Sequence, residues 1–332
     1  MKLATLKNGR RDGQLLVVSR DLRMAVAVPD IASTMQQVLE EWQAKHRALD
    51  EVYRALNAGI ATGAFVLDVA QLAAPLPRAY QWADGSAYLV HSELVRKARG
   101  AELTPELWHD PLMYQGCGDS LLGARDDVAL ESTDWGIDLE GEVAVFTDDV
   151  PMGVSPQQAK GHIRLIALVN DVSLRGLVPA ELAKGFGFFQ SKPWTAFSPV
   201  AVTPDELGDA WDGQRVHLPL TVHVNEDLLG QPNAGVDMVF DFPQLIAHAA
   251  KTRPLGAGTI VGSGTVSNGD RSVGSACLAE KRALETVRDG KPGTPFLTFG
   301  DRMTIDMFDR NGNSVFGAIS QRVVEYAPPL LA

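Results

Sequence analysis

The segment at 137–146, Ile-Asp-Leu-Glu-Gly-Glu-Val-Ala-Val-Phe, constrains the fold more than any other part of the chain. Its apolar and polar residues largely alternate, which is the pattern of a β-strand with one face in the core. Asp138, Glu140 and Glu142 then share the other face, and the two glutamate Cα atoms lie about 6.7 Å apart at the rise of a strand. Two carboxylates at this spacing can hold one cation, and oxygen ligands suit Mg²⁺, Ca²⁺ or Mn²⁺ better than Zn²⁺. The alternative is a solvent-facing acidic strand face.

The overall composition is that of a folded protein that handles small molecules. The chain has 332 residues, 45% of them hydrophobic and 21% charged, so it can bury a large core. Its formal charge is −11 and no block of five like charges occurs, so neither nucleic acid nor an anionic membrane is an expected partner. Two cysteines are too few for a disulfide framework, and the N-terminus lacks an apolar signal region. We therefore expect a cytoplasmic protein without a membrane segment.

The first 73 residues predict a small unit of β-strands followed by one helix. Short apolar runs flank Asn8-Gly9, a typical hairpin turn, and two more runs follow at 14–18 and 24–28. A helix is expected from the capping-box pattern Ser33-Thr-Met-Gln36 to Gly59. Two prolines at 70–80 indicate a connector. We place an N-terminal domain at 1–73 and a second domain at 74–332.

The second domain is predicted to be rich in β-structure with interspersed helices. Strands are expected at 137–146, 163–169, 217–225, 258–262, 302–309 and 314–319, with a hairpin turn at 309–312. Helices are expected at 86–98, 155–160 and 242–251. The chain has no regular βαβ alternation and no GxGxxG motif, so a doubly wound nucleotide-binding fold is not favoured. The pattern indicates the α+β class.

Two further segments each contain a basic residue that could bind an anionic group. Asp171 follows an apolar run at 165–169, and Arg175, four residues on, can hold an anion. An Asx turn or a helix N-cap, with an i,i+4 ion pair, is the alternative. Lys192 stands among aromatic residues and needs an anionic partner there, unless it extends into solvent from a surface loop.

Three more features indicate a functional site only when they are considered together. If Asp84 caps a helix, His91 returns to nearly the same face seven residues later, although a lone histidine is more often structural or exposed. Residues 260–268 predict a strand that leads into a Gly/Ser/Thr loop, whose N–H groups and hydroxyls can bind an anion. Taken alone, Glu280 among its basic neighbours indicates a surface ion pair.

In their order along the chain, these residues resemble the motif set of the fumarylacetoacetate hydrolase family. The matching positions are Asp84, His91, Glu140 with Glu142, Asn170-Asp171-Val-Ser-Leu-Arg175, Lys192 and Ser263-Gly-Thr265. Each motif is weak by itself, but the ordered set is specific, and the resemblance covers residues 74–325. It implies a mixed β-sandwich roll with a small N-terminal β/α domain, and it implies a homodimer.

The resemblance also implies a role for each residue. The metal ligands would be Asp84, Glu140, Glu142 and Asp171, and the ion Mg²⁺, Ca²⁺ or Mn²⁺. His91, oriented by Glu280, would activate water, and Arg175 with Lys192 would stabilise developing negative charge. The implied substrate contacts are Tyr114, Thr195 and Thr265. A glutamine that follows the arginine in fumarylacetoacetases falls on Val178 here.

The implied reaction is hydrolysis of a carbon–carbon bond in a dicarboxylic or β-diketo acid. Fumarylacetoacetate, cleaved to fumarate and acetoacetate, or a related acylpyruvate would be the substrate, in aromatic catabolism. The alternative is an isomerase or decarboxylase of a 2-oxo acid, since these reactions also pass through a metal-stabilised enolate. A non-catalytic ligand-binding protein on the same fold is a further alternative.

Overall fold

The computed structural model describes residues 1–98, 100 and 102–328. The strands are β1 (Lys2–Leu6), β2 (Gln14–Val18), β3 (Met24–Ala27), β4 (Phe65–Val66), β5 (Trp82–Gly85), β6 (Met113–Gly116), β7 (Val128–Leu130), β8 (Ile137–Asp138), β9 (Gly141–Thr147), β10 (Ile163–Asn170), β11 (Ser173–Leu174), β12 (Ala196–Phe197), β13 (Ala201–Val202), β14 (Leu220–Val224), β15 (Asp227–Gly230), β16 (Ile260–Gly262), β17 (Arg302–Met307) and β18 (Ile319–Glu325). The helices are α1 (Met35–Glu40), α2 (Trp42–Asn57), α3 (Leu89–Lys97), α4 (Pro156–Ala159), α5 (Val178–Leu182), α6 (Phe242–Ala249) and α7 (Leu278–Asp289). Within these ranges no helix is long and apolar enough to cross a bilayer.

The largest sheet runs through both predicted units. Its strand order is β4-β3-β2-β1-β13-β10-β9-β16-β5-β6, and β12 also pairs with β10. Strand β1 pairs with β13, where Lys2 lies opposite Val202 and Leu3 opposite Ala201. The N-terminal strands therefore extend the same sheet as the strands of the second unit, while the boundary at residue 73 stays a prediction.

Both faces of this sheet are buried, which explains the continuous apolar run of β10. Ile166 and Leu168 point into a core shared with a second sheet, whose strand order is β15-β14-β17-β18-β7. Leu165 and Ala167 point to the opposite face, which is covered by α1 and α2. Parallel pairs, such as β16 with β5, occur beside antiparallel ones. The predicted class, a β-rich α+β fold with stacked sheets, is confirmed.

The segment at 137–146 is not one continuous strand. Strand β8 pairs with β11, whereas β9 pairs with β10 and β16, so the chain changes sheets at residues 139–140. At the break the chain pairs with a third segment, because Glu140 forms a bridge with Cys277 and the N–H of Gly141 donates to the backbone oxygen of Ala276. The second sheet is also close there, since a Cβ on Gly141 would lie 3.0 Å from side-chain atoms of Leu220 and Val222. The alternative of a solvent-facing acidic face is wrong, because all three acidic side chains are buried.

Other local predictions need smaller corrections. The helix cap is Thr34, one residue later than predicted, and the helix is interrupted at Glu41. The predicted strand at 314–319 is wrong, since β18 begins at Ile319. The turn before it is present, with the carboxylate of Asp309 accepting from the N–H of Asn313. The same carboxylate accepts from the N–H of Asn311, which makes an Asx turn. A bridge between Phe308 and Ser314 follows the turn directly, but regular strand pairing begins again only at Ile319.

Candidate functional site

Three carboxylates meet at one end of the large sheet. Asp84 lies on β5, Glu142 lies on β9, and Asp171 follows the last residue of β10. These strands are neighbours except for β16, which lies between β5 and β9. One oxygen of each carboxylate lies within 4.8 Å of the others, and all three side chains are buried. We call these residues the carboxylate cluster.

A glycine keeps the sheet open beneath the cluster. Gly262 on β16 lies opposite both Asp84 and Ala144 in the two neighbouring strands. A Cβ at this position would lie 2.2 Å from Oδ1 of Asp84 and 2.4 Å from the ring of Trp82. Any other residue would push the Asp84 carboxylate out of place, so the sequence needs glycine here.

The cluster holds more negative charge than its surroundings compensate. Both carboxylate oxygens of Glu142 are buried and have no hydrogen-bond partner among the described residues. Burial, followed by the charges of Asp84 and Asp171, raises the pKa of Glu142 well above its usual range. Burial and the charge of Asp171 raise the pKa of Asp84 in the same way. Orphaned carboxylate oxygens grouped like this fit a hard divalent cation, so Asp84, Glu142 and Asp171 form a candidate metal site.

Glu140 lies in a different electrostatic environment. Its Oε1 accepts from Nη2 of Arg175 at 2.6 Å, and its Oε2 accepts from Nζ of Lys192 at 2.5 Å. Although burial opposes ionisation, the charges of Lys192 and Arg175 hold the pKa of Glu140 well below its usual range. Its oxygens do not belong to the group of carboxylates within 4.8 Å of one another. The assignment of Glu140 as a metal ligand stays a prediction.

Arg175 pairs with carboxylates other than the one nearest in sequence. Its Nε donates to Oδ2 of Asp138 at 2.9 Å, in addition to its contact with Glu140. Strand β11 pairs with β8 through Ser173 opposite Asp138, and this pairing carries Arg175 to Asp138. The alternative of an i,i+4 ion pair with Asp171 is therefore wrong.

Lys192 joins Glu140 to the carboxylate cluster. Its Nζ also donates to Oδ2 of Asp171 at 2.5 Å and lies 5.2 Å from the ring centre of Tyr114. Burial opposes the charged form, but the carboxylates of Asp171 and Glu140 hold the pKa of Lys192 above its usual range. The lysine is buried, so the alternative of a side chain extended into solvent is wrong.

The predicted substrate contacts Tyr114 and Thr195 both bind Asp171. The hydroxyl of Tyr114 donates to Oδ2 and that of Thr195 to Oδ1, each at 2.7 Å. Nε1 of Trp82 in turn donates to the Thr195 hydroxyl at 3.1 Å. Thr265 is buried and follows Gly264, whose N–H donates to Oδ1 of Asp84 at 2.9 Å. Their roles toward a substrate stay predictions.

His91 and Glu280 form a hydrogen-bonded pair. Nδ1 of His91 lies 3.0 Å from Oε2 of Glu280, although the residues are 189 positions apart. Glu280 is buried, so its interpretation as a surface ion-pair residue is wrong. Its Oε1 accepts from Ser267 at 2.9 Å and from Nη1 of Arg271 at 2.6 Å. A carboxylate on Nδ1 leaves Nε2 free to accept a proton, which is the arrangement of an oriented general base.

The helical spacing argument for Asp84 and His91 is wrong. Asp84 lies on β5, and α3 begins only at Leu89, after Tyr88 at its N-cap. The histidine nevertheless lies near Glu140, because a ring nitrogen of His91 is within 4.8 Å of Sγ of Cys277, and Cys277 forms a backbone bridge with Glu140.

Sequence reasoning missed two residues that hold this pair in place. The carboxylate of Asp138 accepts from the N–H groups of Leu278 and Ala279, so it caps the N-terminus of α7, the helix of Glu280. Arg271 binds Glu280 and also donates to the backbone oxygen of Val90, next to His91. The alternating pattern at 137–146 does place Asp138 on the same face as Glu140 and Glu142, but it does not indicate its role as a helix cap. No pattern in the sequence around Arg271 indicates a functional role.

Family models agree with this geometry over most of the chain. Residues 81–324 match the model described as Fumarylacetoacetate (FAA) hydrolase C-terminal. The chain belongs to the fumarylacetoacetate hydrolase family. Residues 1–78 match a second model, Fumarylacetoacetase N-terminal domain 2. The family recognised from the ordered motifs is confirmed.

Curated relatives in this family carry names of different reactions. A 2,4-didehydro-3-deoxy-L-rhamnonate hydrolase of Sphingomonas sp. (strain SKA58) is 30% identical over 159 residues, which are 47% of this chain and 53% of that protein. The chain thus matches about half the length of that relative. An oxaloacetate tautomerase of Bacillus subtilis (strain 168) is 26% identical over 231 residues, 69% of this chain and 72% of the relative.

Solved structures share the whole fold at low sequence identity. A maleylpyruvate hydrolase from Sphingobium sp. SYK-6, in complex with manganese(II) and pyruvate, covers 98% of this chain and 100% of its own, with a TM-score of 0.65 and 20% identity. A fumarylacetoacetate hydrolase from Exiguobacterium antarcticum has the same coverage, a TM-score of 0.66 and 18% identity. These similarities show that this chain has the fold of the family.

Proposed function

We propose that this chain is a metal-dependent hydrolase that cleaves a carbon–carbon bond in a β-diketo acid, either fumarylacetoacetate or a related acylpyruvate. The observation that carries the proposal is the His91–Glu280 pair near a cluster of buried, uncompensated carboxylates. The family includes hydrolases, isomerases and tautomerases of acylpyruvates and oxo acids, so membership alone does not choose among them. An oriented base fits hydrolysis, because water must lose a proton before it attacks a carbonyl carbon.

Asp84, Glu142 and Asp171 would hold a divalent cation. Glu140, the fourth ligand that the resemblance implies, is the weakest candidate, because its two oxygens already bind Arg175 and Lys192. We propose Mg²⁺, with Ca²⁺ or Mn²⁺ as substitutes, because all the donors are carboxylate oxygens. Such a cation supplies Lewis-acid polarisation of a carbonyl and stabilisation of an enolate. The manganese complex of the Sphingobium maleylpyruvate hydrolase supports this assignment.

The chain's own residues divide the remaining tasks. His91 would accept the proton of water at Nε2 while Glu280 holds Nδ1, and the same imidazolium can then return the proton to the leaving carbon. Arg175 and Lys192 are held by carboxylates in buried positions, so they would stabilise negative charge without reorganising. Tyr114, Thr195 and Thr265 would orient the substrate. Val178, in place of the fumarylacetoacetase glutamine, removes one hydrogen-bonding group from this set.

The alternative is a tautomerase, isomerase or decarboxylase of a 2-oxo acid at the same site. The oxaloacetate tautomerase relative, which matches 69% of this chain, favours it. Such a reaction also forms an enolate, but it incorporates no oxygen from water into the product.

The experiment is a substrate panel in the presence of Mg²⁺ and, in parallel, of a chelator. Fumarylacetoacetate, several acylpyruvates and oxaloacetate would be incubated in H₂¹⁸O or D₂O, and the products identified by mass spectrometry. Hydrolysis predicts ¹⁸O in the released acid and metal dependence of the rate. Deuterium exchange or carbon dioxide release without cleavage of any diketo acid would overturn the proposal in favour of the alternative. The homodimer remains a prediction, to be tested by light scattering after gel filtration.

A further inference from the structure

A cavity of about 460 Å³ shares two side chains with the candidate site. Tyr114 and Lys192 both line this cavity, and both also bind Oδ2 of Asp171. The cavity therefore begins one side chain away from the carboxylate cluster, which is where the rest of a substrate anchored at that cluster has to extend. Pockets of this size are typical of small-molecule sites.

The cavity wall is predominantly apolar and aromatic. It includes Leu122, Val128, Leu130, Phe188, Trp194 and Tyr326. Trp194 and Tyr326 are 49% and 43% exposed, and the Phe188 ring packs edge-on against Tyr114 with 5.5 Å between ring centres. Covering such surface with an apolar group is favourable, and an apolar cavity of about 150 Å³ already binds benzene. A phenyl ring or a medium alkyl chain fits this volume.

The charged residues of the wall leave no partner for an anion. Among the described lining residues, the cation is Lys192, whose ammonium lies against Glu140 and Asp171, at the end of the cavity where the reaction would occur. The acidic residue is Asp127, which lies 3.3 Å from Nη2 of Arg322. A carboxylate at the far end of a bound acyl group would meet the carboxylate of Asp127 and no free cation among the described wall residues.

We propose that this cavity binds the acyl group of the substrate and selects an uncharged apolar acyl chain over one that ends in a carboxylate. The inference rests on the proposed function, and within it favours neutral acylpyruvates over fumarylacetoacetate itself. Hydrolysis of such a substrate releases pyruvate and an apolar monocarboxylic acid. Trp194, Leu130 and their neighbours are then specificity-determining residues.

The test compares kcat/KM for benzoylpyruvate and hexanoylpyruvate with kcat/KM for fumarylpyruvate, all with Mg²⁺. We expect the neutral substrates to be preferred by at least about tenfold. Ala129→Arg adds a cation to the cavity wall at an exposed position of β7, so it should narrow or reverse that preference. Ala58→Arg, an exposed position at the end of α2, is the matched control and should leave the ratio unchanged.

A second variant keeps the proposal testable if Ala129→Arg does not fold. Trp194→Ala should lower kcat/KM for the neutral substrates several-fold and leave fumarylpyruvate nearly unaffected, because only the apolar wall is reduced. Equal or greater activity of the wild type on fumarylpyruvate would overturn the acyl-group inference while leaving a carbon–carbon hydrolase in place. Failure to cleave any acylpyruvate or fumarylacetoacetate would overturn the proposed function and this inference with it.

Discussion

Glu140 and Glu142 are two residues apart and both buried, yet their carboxylates lie in opposite electrostatic environments. Glu140 is held between two cations, Arg175 and Lys192, whereas the oxygens of Glu142 have no partner among the described residues and face two other carboxylates. The first region is compensated by protein charge and the second is not. Burial and residue type are therefore the same, and only the partners indicate where a metal ion would bind.

Among the variants considered, Glu142→Gln should have the largest effect on metal binding and activity. It removes one negative charge from the carboxylate cluster, so we expect the affinity for Mn²⁺ to fall by more than about 100-fold and hydrolysis to fall to background. Isothermal titration with Mn²⁺ and the Mg²⁺ dependence of the rate would measure both. The melting temperature should also stop responding to added metal.

Glu140→Gln is the matched control, with the same chemical change two residues earlier. Because its oxygens bind Arg175 and Lys192, we expect metal affinity within about tenfold of wild type. Activity should fall, since two buried cations lose their shared partner. An equal loss of metal affinity in both variants would contradict the contrast and make Glu140 a fourth ligand.

His91→Ala should give the next largest effect. Loss of a positioned general base costs about 10²–10⁴-fold, so kcat for hydrolysis should fall in this range while metal affinity stays unchanged. Glu280→Gln, which keeps the side-chain shape but weakens the hold on Nδ1, should cost less. Full incorporation of ¹⁸O at the wild-type rate in His91→Ala would remove the histidine from the mechanism while leaving hydrolysis in place.

The sequence predicted the elements of this site better than their connections. The strand at β10 can be predicted from its long apolar run, because a strand that is buried on both faces is apolar throughout, whichever strands it pairs with. The break between β8 and β9 could not be predicted from the sequence. The alternation of apolar and polar residues continues through it, and the two strands differ only in the sheets with which they pair. The pairing of Arg175 with Asp138 could not be predicted for the same reason, since the pairing of β11 with β8 brings the two residues together.

The His91–Glu280 pair came from family resemblance rather than from local pattern. No periodicity relates residues 189 positions apart, and Glu280 reads locally as a surface residue until α7 is placed against α3. Ser267 lies on a loop and Arg271 begins a short 3-10 helix, and the position of both depends on the same packing. Residue order along the chain could identify the chemistry, whereas the supporting contacts required the fold.

Asp138→Asn should change the surroundings of Glu140 but not those of Glu142, and it should lower activity less than the variants above. Asp138 binds Arg175 and also caps α7, so its loss leaves the arginine with Glu140 alone and loosens the helix that carries Glu280. We expect the free energy of unfolding to fall by about 1–3 kcal/mol and kcat to fall about tenfold. Denaturant unfolding and steady-state kinetics would measure these, with the exposed Asp134→Asn as control. A normal rate in a destabilised variant would show that Asp138 serves stability alone.

Glu181→Gln should have the smallest effect, through the loop that delivers Lys192, the residue that joins the two regions. The Glu181 carboxylate accepts from the N–H groups of Phe189, Gln190 and Ser191, at 3.0, 2.6 and 3.1 Å. Although desolvation opposes it, these hydrogen bonds lower the pKa of Glu181 to about 2. A depressed carboxyl pKa stabilises the fold above the ordinary value of 4.5, and that contribution is lost as pH falls from there through about 2.

We therefore expect Glu181→Gln to lower kcat only a few-fold, because the loop still forms but positions Lys192 less firmly. Its stability should also depend less on pH between 4.5 and 2 than that of the wild type. Thermal unfolding across this range would test the sign, with Glu131→Gln, an exposed glutamate, as the matched control. An unchanged pH dependence would mean that the backbone contacts do not favour the ionised carboxylate. A loss of activity as large as that of Glu142→Gln would mean that Lys192 depends on this loop as strongly as the metal site depends on its own carboxylates.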